Sequence, residues 1–325
     1  MQWTRLMSNL ILAVYGITLV TGLPANLLAF YTFVRKVRQN PKPIDVLLLS
    51  LTISDLIFLF FLPFRMEEAA QMKWSRSYFF CTLSIFVFFA AVYNSTFLLT
   101  AISVERYLGV AFPVKYKLRQ HPRNAVIASV MFAVISLGHC SIIFITQYYD
   151  HANSTALELS ARNSCYVDFS EEQLKVLLPV RLELFVVFFC APLFICCFCY
   201  IKFILILSRL PNINPKKRFR AIGLALGTLL VFMVCFMPFS MTHLVGYIAW
   251  YNPDWRVYAL LTSTFNACLD PFIFYFSSSA LRQMFKVCAR GLIKRLSICP
   301  NGTCCSQLNC STVEENPPSS TISFR

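Results

Sequence analysis

The sequence predicts an all-α membrane protein: a bundle of seven transmembrane helices followed by an amphipathic helix on the cytosolic side. Three observations carry this. Seven apolar stretches fill most of the 325 residues, and each exceeds the roughly 20 residues a helix needs to cross about 30 Å of hydrocarbon. Positive charge falls on alternate gaps between them. Hydrophobic residues make up 57% of the chain and charged residues 14%, far from the soluble average.

The spans read as 8–34, 43–66, 78–105, 124–147, 177–207, 219–250 and 256–277. The first is too long for the apolar core of a signal peptide and is expected to be retained. Between spans 1 and 2 lie Arg35, Lys36, Arg38 and Lys42 with no acid. Span 3 ends at Glu105 and is followed by Arg106, Lys115, Lys117, Arg119 and Arg123. Between spans 5 and 6 come Arg209, Lys216, Lys217, Arg218 and Arg220, and after span 7 Arg282, Lys286, Arg290, Lys294 and Arg295. The gap 148–176 is acidic instead, with Asp150, Glu158, Asp168, Glu171 and Glu172 against Arg162 and Lys175. The positive-inside rule places the N-terminus outside and the C-terminus in the cytosol. The net charge of +14 is spread over these loops, which argues against nucleic acid as a partner.

The expected organisation is an extracellular N-terminus (1–7), a seven-helix domain (8–277), a membrane-surface helix (278–295) and a disordered tail (296–325). In the third segment Leu281, Phe285, Cys288, Ala289 and Leu292 share one face, with basic residues around them. Cys288, Cys299, Cys304, Cys305 and Cys310 are candidates for palmitoylation; zinc is a rival for the last three, against which the irregular spacing speaks. The tail beyond Ser311 is rich in Ser, Thr, Pro and Glu and open to phosphorylation.

Most of the fourteen cysteines lie within spans, where a thiol is a small hydrophobe. Cys81 and Cys165 differ, because both face the oxidising side. A bridge would pin the outer loop to the head of span 3; two free thiols are the alternative. Asn153 begins an Asn-Ser-Thr glycosylation signal in that loop.

Polar groups inside a bilayer are costly and mark function. Asp55 stands as a lone carboxylate in span 2, with Asn26, Ser95 and Asn266 at similar depth in spans 1, 3 and 7. A sodium ion would fit among oxygens of Asp55 and Ser95; a protonated, hydrogen-bonded Asp is the alternative. At the inner end of span 3, Arg106 can pair with Glu105. Pro238 removes one backbone bond from span 6 and makes a hinge.

Six short motifs resemble the rhodopsin-like (class A) G protein-coupled receptors: Gly22 to Asn26, Leu51 to Asp55, Glu105-Arg106-Tyr107, Pro192 with Tyr200, Cys235-Phe236-Met237-Pro238, and Asp270-Pro271-Phe272-Ile273-Phe274-Tyr275. They occur in order on the correct spans, over about residues 8–290. The resemblance implies a ligand pocket open to the outside and a cytosolic cleft that opens as helix 6 swings outward, with Glu105, Arg106, Tyr107, Tyr200, Phe236, Pro238, Asp270, Pro271 and Tyr275 as switch residues. Phe236 stands where many members carry Trp, Asp270 replaces the usual Asn, Tyr275 falls one position late, and Ala133 fills the place of a common Trp.

The ligand is constrained by absences. The outer half of span 3 has no acid to meet a cationic amine, and span 7 has no lysine for a Schiff base. Near the outer ends lie Arg181 (span 5), Arg256 (span 7), His243 (span 6) and His139 (span 4). Such a set suits a carboxylate, which the planar guanidinium fork matches. Arginines that snorkel to headgroups and histidines satisfied in the core are the alternatives. His139-Cys140, Pro179 to Leu184, His243 to Tyr247, Tyr275 to Ser279 and the run from Glu105 to Val114 resemble the free fatty acid receptors, nearest their short-chain members. The resemblance implies that Arg181 and Arg256 anchor the carboxylate, with His139, His243 and Tyr93 in support; Tyr166 lies in the adjoining loop, and Phe239 stands where a pocket Tyr is usual. It also implies coupling to heterotrimeric G proteins, of the inhibitory class with the phospholipase-coupled class second, and arrestin as partner of the phosphorylated tail. A carboxylate transporter would show internal repeats, and none is seen. An intramembrane enzyme is disfavoured, since no His-Glu-x-x-His motif and no paired carboxylates at the midplane are found.

Overall fold

The computed structural model describes residues 4–119, 121–149, 165, 169–210, 214–279, 281–287 and 290. The unit Met1–Met284 holds all seven spans; in the unit Phe285–Arg325, residues 285–287 and 290 are helical. Among the described residues there is no strand. The spans are α1 (Arg5–Gln39), α2 (Pro43–Gln71), α3 (Tyr78–Ala111), α4 (Pro122–Thr146), α5 (Glu171–Arg209), α6 (Arg218–Ala249) and α7 (Arg256–Tyr275). A short helix, Pro113–Arg119, joins α3 to α4. All seven expected spans are present, and several are longer because polar end turns continue the helix. Of the expected surface helix, residues 281–287 are helical and begin after a cap in which the Ser278 hydroxyl accepts from the Leu281 N–H. The rest of that segment lies largely outside the described residues, as do Asn153, Tyr166 and the tail cysteines.

Local chemistry sets the helix starts. Pro43 and Pro122 occupy first-turn positions of α2 and α4, where a missing N–H costs nothing. Thr4 and Ser77 cap α1 and α3 through their hydroxyls. Ser170 and Gln173 form a reciprocal capping box at the head of α5, satisfying two orphan N–H groups. In α5 and α6 the helix widens into single π turns, Val186–Cys190 and Phe232–Phe236. Each lies just before a proline, Pro192 and Pro238, so the wide turn absorbs the bonds the proline removes.

The layers follow from burial. α3 is the most deeply enclosed span and α4 the least. α1 packs on α2, α2 on α3, and α3 on α5. At Gly22 an added Cβ would come within 3.2 Å of the Ala267 carbonyl oxygen, so any larger residue would push α1 and α7 apart by a few tenths of an ångström. The neighbouring Asn26 uses this close approach: its Nδ2 donates to the Ala267 oxygen at 2.7 Å and to Gly22 at 3.0 Å. Val20, Phe60, Val130 and Phe194 are exposed on the outer surface, as expected where lipid replaces water.

Candidate ligand site

At the end of the bundle that carries the disulfide, Cys81 in the first turn of α3 is bridged to Cys165, the pairing anticipated above. The loop is held a second time. The buried Glu68 of α2 accepts the Cys165 backbone N–H at Oε1 (2.8 Å), and its Oε2 pairs with Arg65 Nη1 at 2.6 Å. Little in the pattern warns of this, since Glu68 follows the half-exposed Glu67 at the polar end of an apolar run. On the other side of the loop, Gln173 Nε2 donates to the Thr146 carbonyl at 2.8 Å, tying α5 to α4.

At this end lies a small cavity lined by Phe89 and Tyr93 of α3, Arg181 of α5, His243 of α6 and Arg256 of α7, with Cys140 and aliphatic residues between. Its volume is about 20 Å³, room for about one water. Arg181 is 2% exposed, His243 2% and Arg256 8%. Neither guanidinium snorkels outward; both line the same space as the His243 ring. Tyr93 Oη and His243 Nε2 lie 3.0 Å apart. Arg181 Nη1 donates to Asn252 Oδ1 at 2.9 Å, and its guanidinium stands 5.1 Å over the Phe169 ring. Arg256 stands over Phe239 and Phe89 at 5.3 and 5.8 Å. Those two rings stack on each other at 5.3 Å, and Phe239 meets His243 edge-on. Cation–π contact of this kind steadies a desolvated guanidinium without taking up its N–H donors.

His139 is placed differently from its four companions. Its Nδ1 is 3.4 Å from Glu183 Oε1, and its ring meets Phe188. It does not line the cavity. Asn252, in the connection between α6 and α7, was not foreseen as a partner of Arg181.

The polar core deeper in the bundle corrects the sequence reading. Asp55 is not a lone carboxylate. Asp55 of α2 and Asp270 of α7 are both fully buried and lie within electrostatic reach of each other, so a carboxylate pair exists where none was expected. The two positions are remote in sequence, and only the packing of α7 on α2 brings them together. Asp55 Oδ2, both Asp270 oxygens and Asn266 Oδ1 receive no hydrogen bond from the protein. Ser95 donates to the Ala91 carbonyl at 3.0 Å.

At the opposite end, Arg106 lies within electrostatic reach of Tyr200, Tyr116 and Asp45. Glu105 accepts a hydrogen bond from Tyr116 Oη at 2.6 Å. Tyr116, in the short helix after α3, was not anticipated as a partner. Burial and then the bond to Glu105 push its phenol above the usual tyrosine range. Tyr200 donates to Thr228 at 3.1 Å, linking α5 to α6. Tyr107 meets Phe198 edge-on at 5.9 Å. Phe236 packs against Phe232 two positions before Pro238, and Tyr275 offers its carbonyl to Arg282 at 2.9 Å.

Comparison with known proteins agrees with this geometry. The 7 transmembrane receptor (rhodopsin family) profile matches residues 25–274. Free fatty acid receptor 2 of Homo sapiens is 48% identical over 288 residues, covering 88% of this chain and 86% of that protein. Free fatty acid receptor 2 of Mus musculus is 48% identical over 280 residues (86% and 84%), and free fatty acid receptor 3 of Mus musculus 46% over 277 (85% of each).

The chain belongs to the free fatty acid receptor family.

This receptor is therefore a multi-pass membrane protein that binds a small ligand and acts on heterotrimeric G proteins, and its relatives are receptors rather than enzymes. The names of these relatives fit the family resemblance read in the sequence.

Proposed function

We propose that short-chain fatty acids (acetate, propionate and butyrate) activate this receptor from the extracellular side, and that the occupied receptor catalyses nucleotide exchange on heterotrimeric G proteins, the inhibitory class first and the phospholipase-coupled class second. One observation carries the reading: Arg181 and Arg256, both buried, line a single cavity together with His243 and Tyr93. Burying two cations costs several kcal/mol each, and a carboxylate seated between them offsets that cost through charge-assisted hydrogen bonds. The relatives named as free fatty acid receptors support the same ligand class.

Ligand size bounds the affinity. Propionate has about five heavy atoms, and a ceiling of about −1.5 kcal/mol per atom limits binding to roughly −7.5 kcal/mol. That corresponds to a dissociation constant no tighter than about 3 μM, and opening a cavity of about 20 Å³ pushes the working value toward roughly 0.1–1 mM. Two methyl(ene) groups contribute only about 0.8 kcal/mol each, so the ion pair supplies most of the energy.

In the proposed orientation the disulfide end is extracellular and the Arg106 end cytosolic. Capture of the anion draws α5 and α7 together through their arginines. Pro238, beside the π turn of α6, is the point at which that motion becomes an outward swing of the cytosolic half. The swing separates α6 from Tyr200 and exposes the Arg106 end to the G protein. Arrestin follows phosphorylation of the tail. Sodium belongs to the same reading. The residues fit it, since the unpartnered groups of the polar core are all oxygens, the donor type a hard cation takes. Asp55, Asp270 and Asn266 would hold the ion, with Ser95 as the further oxygen the sequence offered, and it would supply the positive charge that two adjacent carboxylates require.

The deciding experiment is propionate-driven nucleotide exchange in membranes carrying Arg181→Ala or Arg256→Ala. Both variants should reach the cell surface and fail to respond. A response retained by both would reject the pocket. A hydroxy acid or a longer fatty acid is the second reading; the Tyr93–His243 pair favours the hydroxy acid, whose extra hydroxyl it could receive. A panel of carboxylates compared on the same membranes separates the two.

A further inference from the structure

A second cavity lies on the membrane-facing side of the bundle, away from both arginines. Between α2, α3 and α4 a groove of about 340 Å³ is walled by Ile53, Ile57, Val130 and Leu137 and floored by the small residues Ala91 and Ala133. The four wall residues are 41–57% exposed, so the groove opens to the bilayer rather than to the interior. Its volume falls in the range of small-molecule sites.

Four polar residues, Ser50, Ser54, Asn94 and Ser129, interrupt the apolar lining; the Ser129 hydroxyl is taken up by the Ala125 carbonyl at 2.8 Å. Asn94 Nδ2 donates to Ser54 Oγ at 3.3 Å, and Ser54 Oγ in turn donates to the Ala91 carbonyl at 3.3 Å. Ser54 therefore has no proton left for Asn94, and Asn94 Oδ1 is buried with no donor. An unsatisfied carbonyl in an apolar setting is costly and calls for a partner. Asn94 lies 16 residues from the start of α3 and 17 from its end (94 − 78 and 111 − 94), or about 25 Å from each at 1.5 Å per residue. That depth is the centre of the bilayer, about 15 Å from either headgroup boundary.

Depth and chemistry select the occupant. An acyl chain fills the volume but brings no donor. A sterol or phospholipid has polar groups, but these are anchored at the interface, about 15 Å too far away. An ion is excluded by the hydrocarbon walls. We propose that the groove binds a compact neutral molecule of one or two rings, delivered through the bilayer, whose single N–H or O–H donates to Asn94 Oδ1 while its ring lies over Ala133. A rigid body suits the site, because few internal rotations are frozen on binding.

The test uses tritiated indole as probe, with the full receptor in phospholipid nanodiscs. Saturable binding is expected, with 1-methylindole, which lacks the donor, competing at least tenfold more weakly. Ala133→Trp fills the groove and should abolish binding; Asn94→Leu removes the acceptor and should weaken it about tenfold. Should the Trp variant fail to reach the membrane, Ala133→Leu serves instead. Arg181→Ala should leave indole binding unchanged. Non-saturable partitioning, equal competition by 1-methylindole, or binding that survives both groove substitutions would overturn the proposal. So would cross-linking of two chains through α4 with no indole bound, which would assign the groove to a second copy of the receptor.

Discussion

Arg181 donates to the side-chain oxygen of Asn252 across 2.9 Å. An amide oxygen thus occupies part of the fork that a carboxylate would use. Removing it with Asn252→Ala should favour the ligand, since a hydrogen bond to a charged group is worth about 1.5–3 kcal/mol and is given up when the guest enters. The expected result is a half-maximal propionate concentration lower by about tenfold or more in the exchange assay. Asn252→Asp should do the reverse, acting as a tethered competitor. Equal dose-response curves for all three proteins would show that the contact does not oppose binding.

Lysine should not replace either arginine. Arg181→Lys and Arg256→Lys keep the charge but lose the planar pair of donors and much of the contact with Phe169, Phe89 and Phe239. A potency loss of tenfold or more is expected from each, about 1.4 kcal/mol or above. Wild-type potency in the lysine variants would mean that a point charge suffices.

Phe239 is 2% exposed, stacked on Phe89 and edge-on to His243. Phe239→Tyr adds a hydroxyl beside Arg256 and should alter potency across a series from two to six carbons, because the donor and the lost space act differently on short and long acids. An unchanged series would mark the position as inert.

Glu68 serves two partners at once, the Cys165 N–H and Arg65. Glu68→Ala leaves a half-buried cation and a buried N–H without this acceptor, a loss of about 2–3 kcal/mol. Thermal unfolding of the purified receptor should shift down by several degrees; Glu68→Gln, which keeps one acceptor, should shift less. Identical melting curves would deny the loop its second anchor.

Asp55 and Asp270 should make the response sensitive to sodium. Raising sodium at constant ionic strength should lower propionate potency in the wild type, and Asp55→Asn should remove the effect. Sodium dependence that persists in Asp55→Asn and Asp270→Asn alike would place its origin elsewhere.

Much of this was legible in the sequence, for stated reasons. A bilayer forces about 20 apolar residues per crossing, so the spans announce themselves. Charges within spans are rare, so Arg181 and Arg256 stood out before any fold was known. What was not legible depends on lateral packing or loop geometry. Asp55 and Asp270 each look solitary until α2 meets α7. Glu67 and Glu68 look alike, yet one pairs with Arg76 in the open and the other is buried. Asn252 carries no periodic signal, and Tyr116 reaches Glu105 only because a short helix folds back beneath α3. His139 sits at the expected height but faces Glu183, since which side of a helix end turns inward is set by its neighbours.

The wide turns of α5 and α6 bear on how a binding event could travel. Each holds one residue more than an α-turn, and a residue of α-helix subtends about 100°. Were such a turn to tighten or slide along its helix, the segment on one side would rotate against the other while the backbone remained hydrogen-bonded almost throughout. Both helices would then behave as two rods joined by a swivel. The signal crossing the membrane could accordingly be torsional as well as angular, with Phe236 turning about the axis of α6 before its foot has moved.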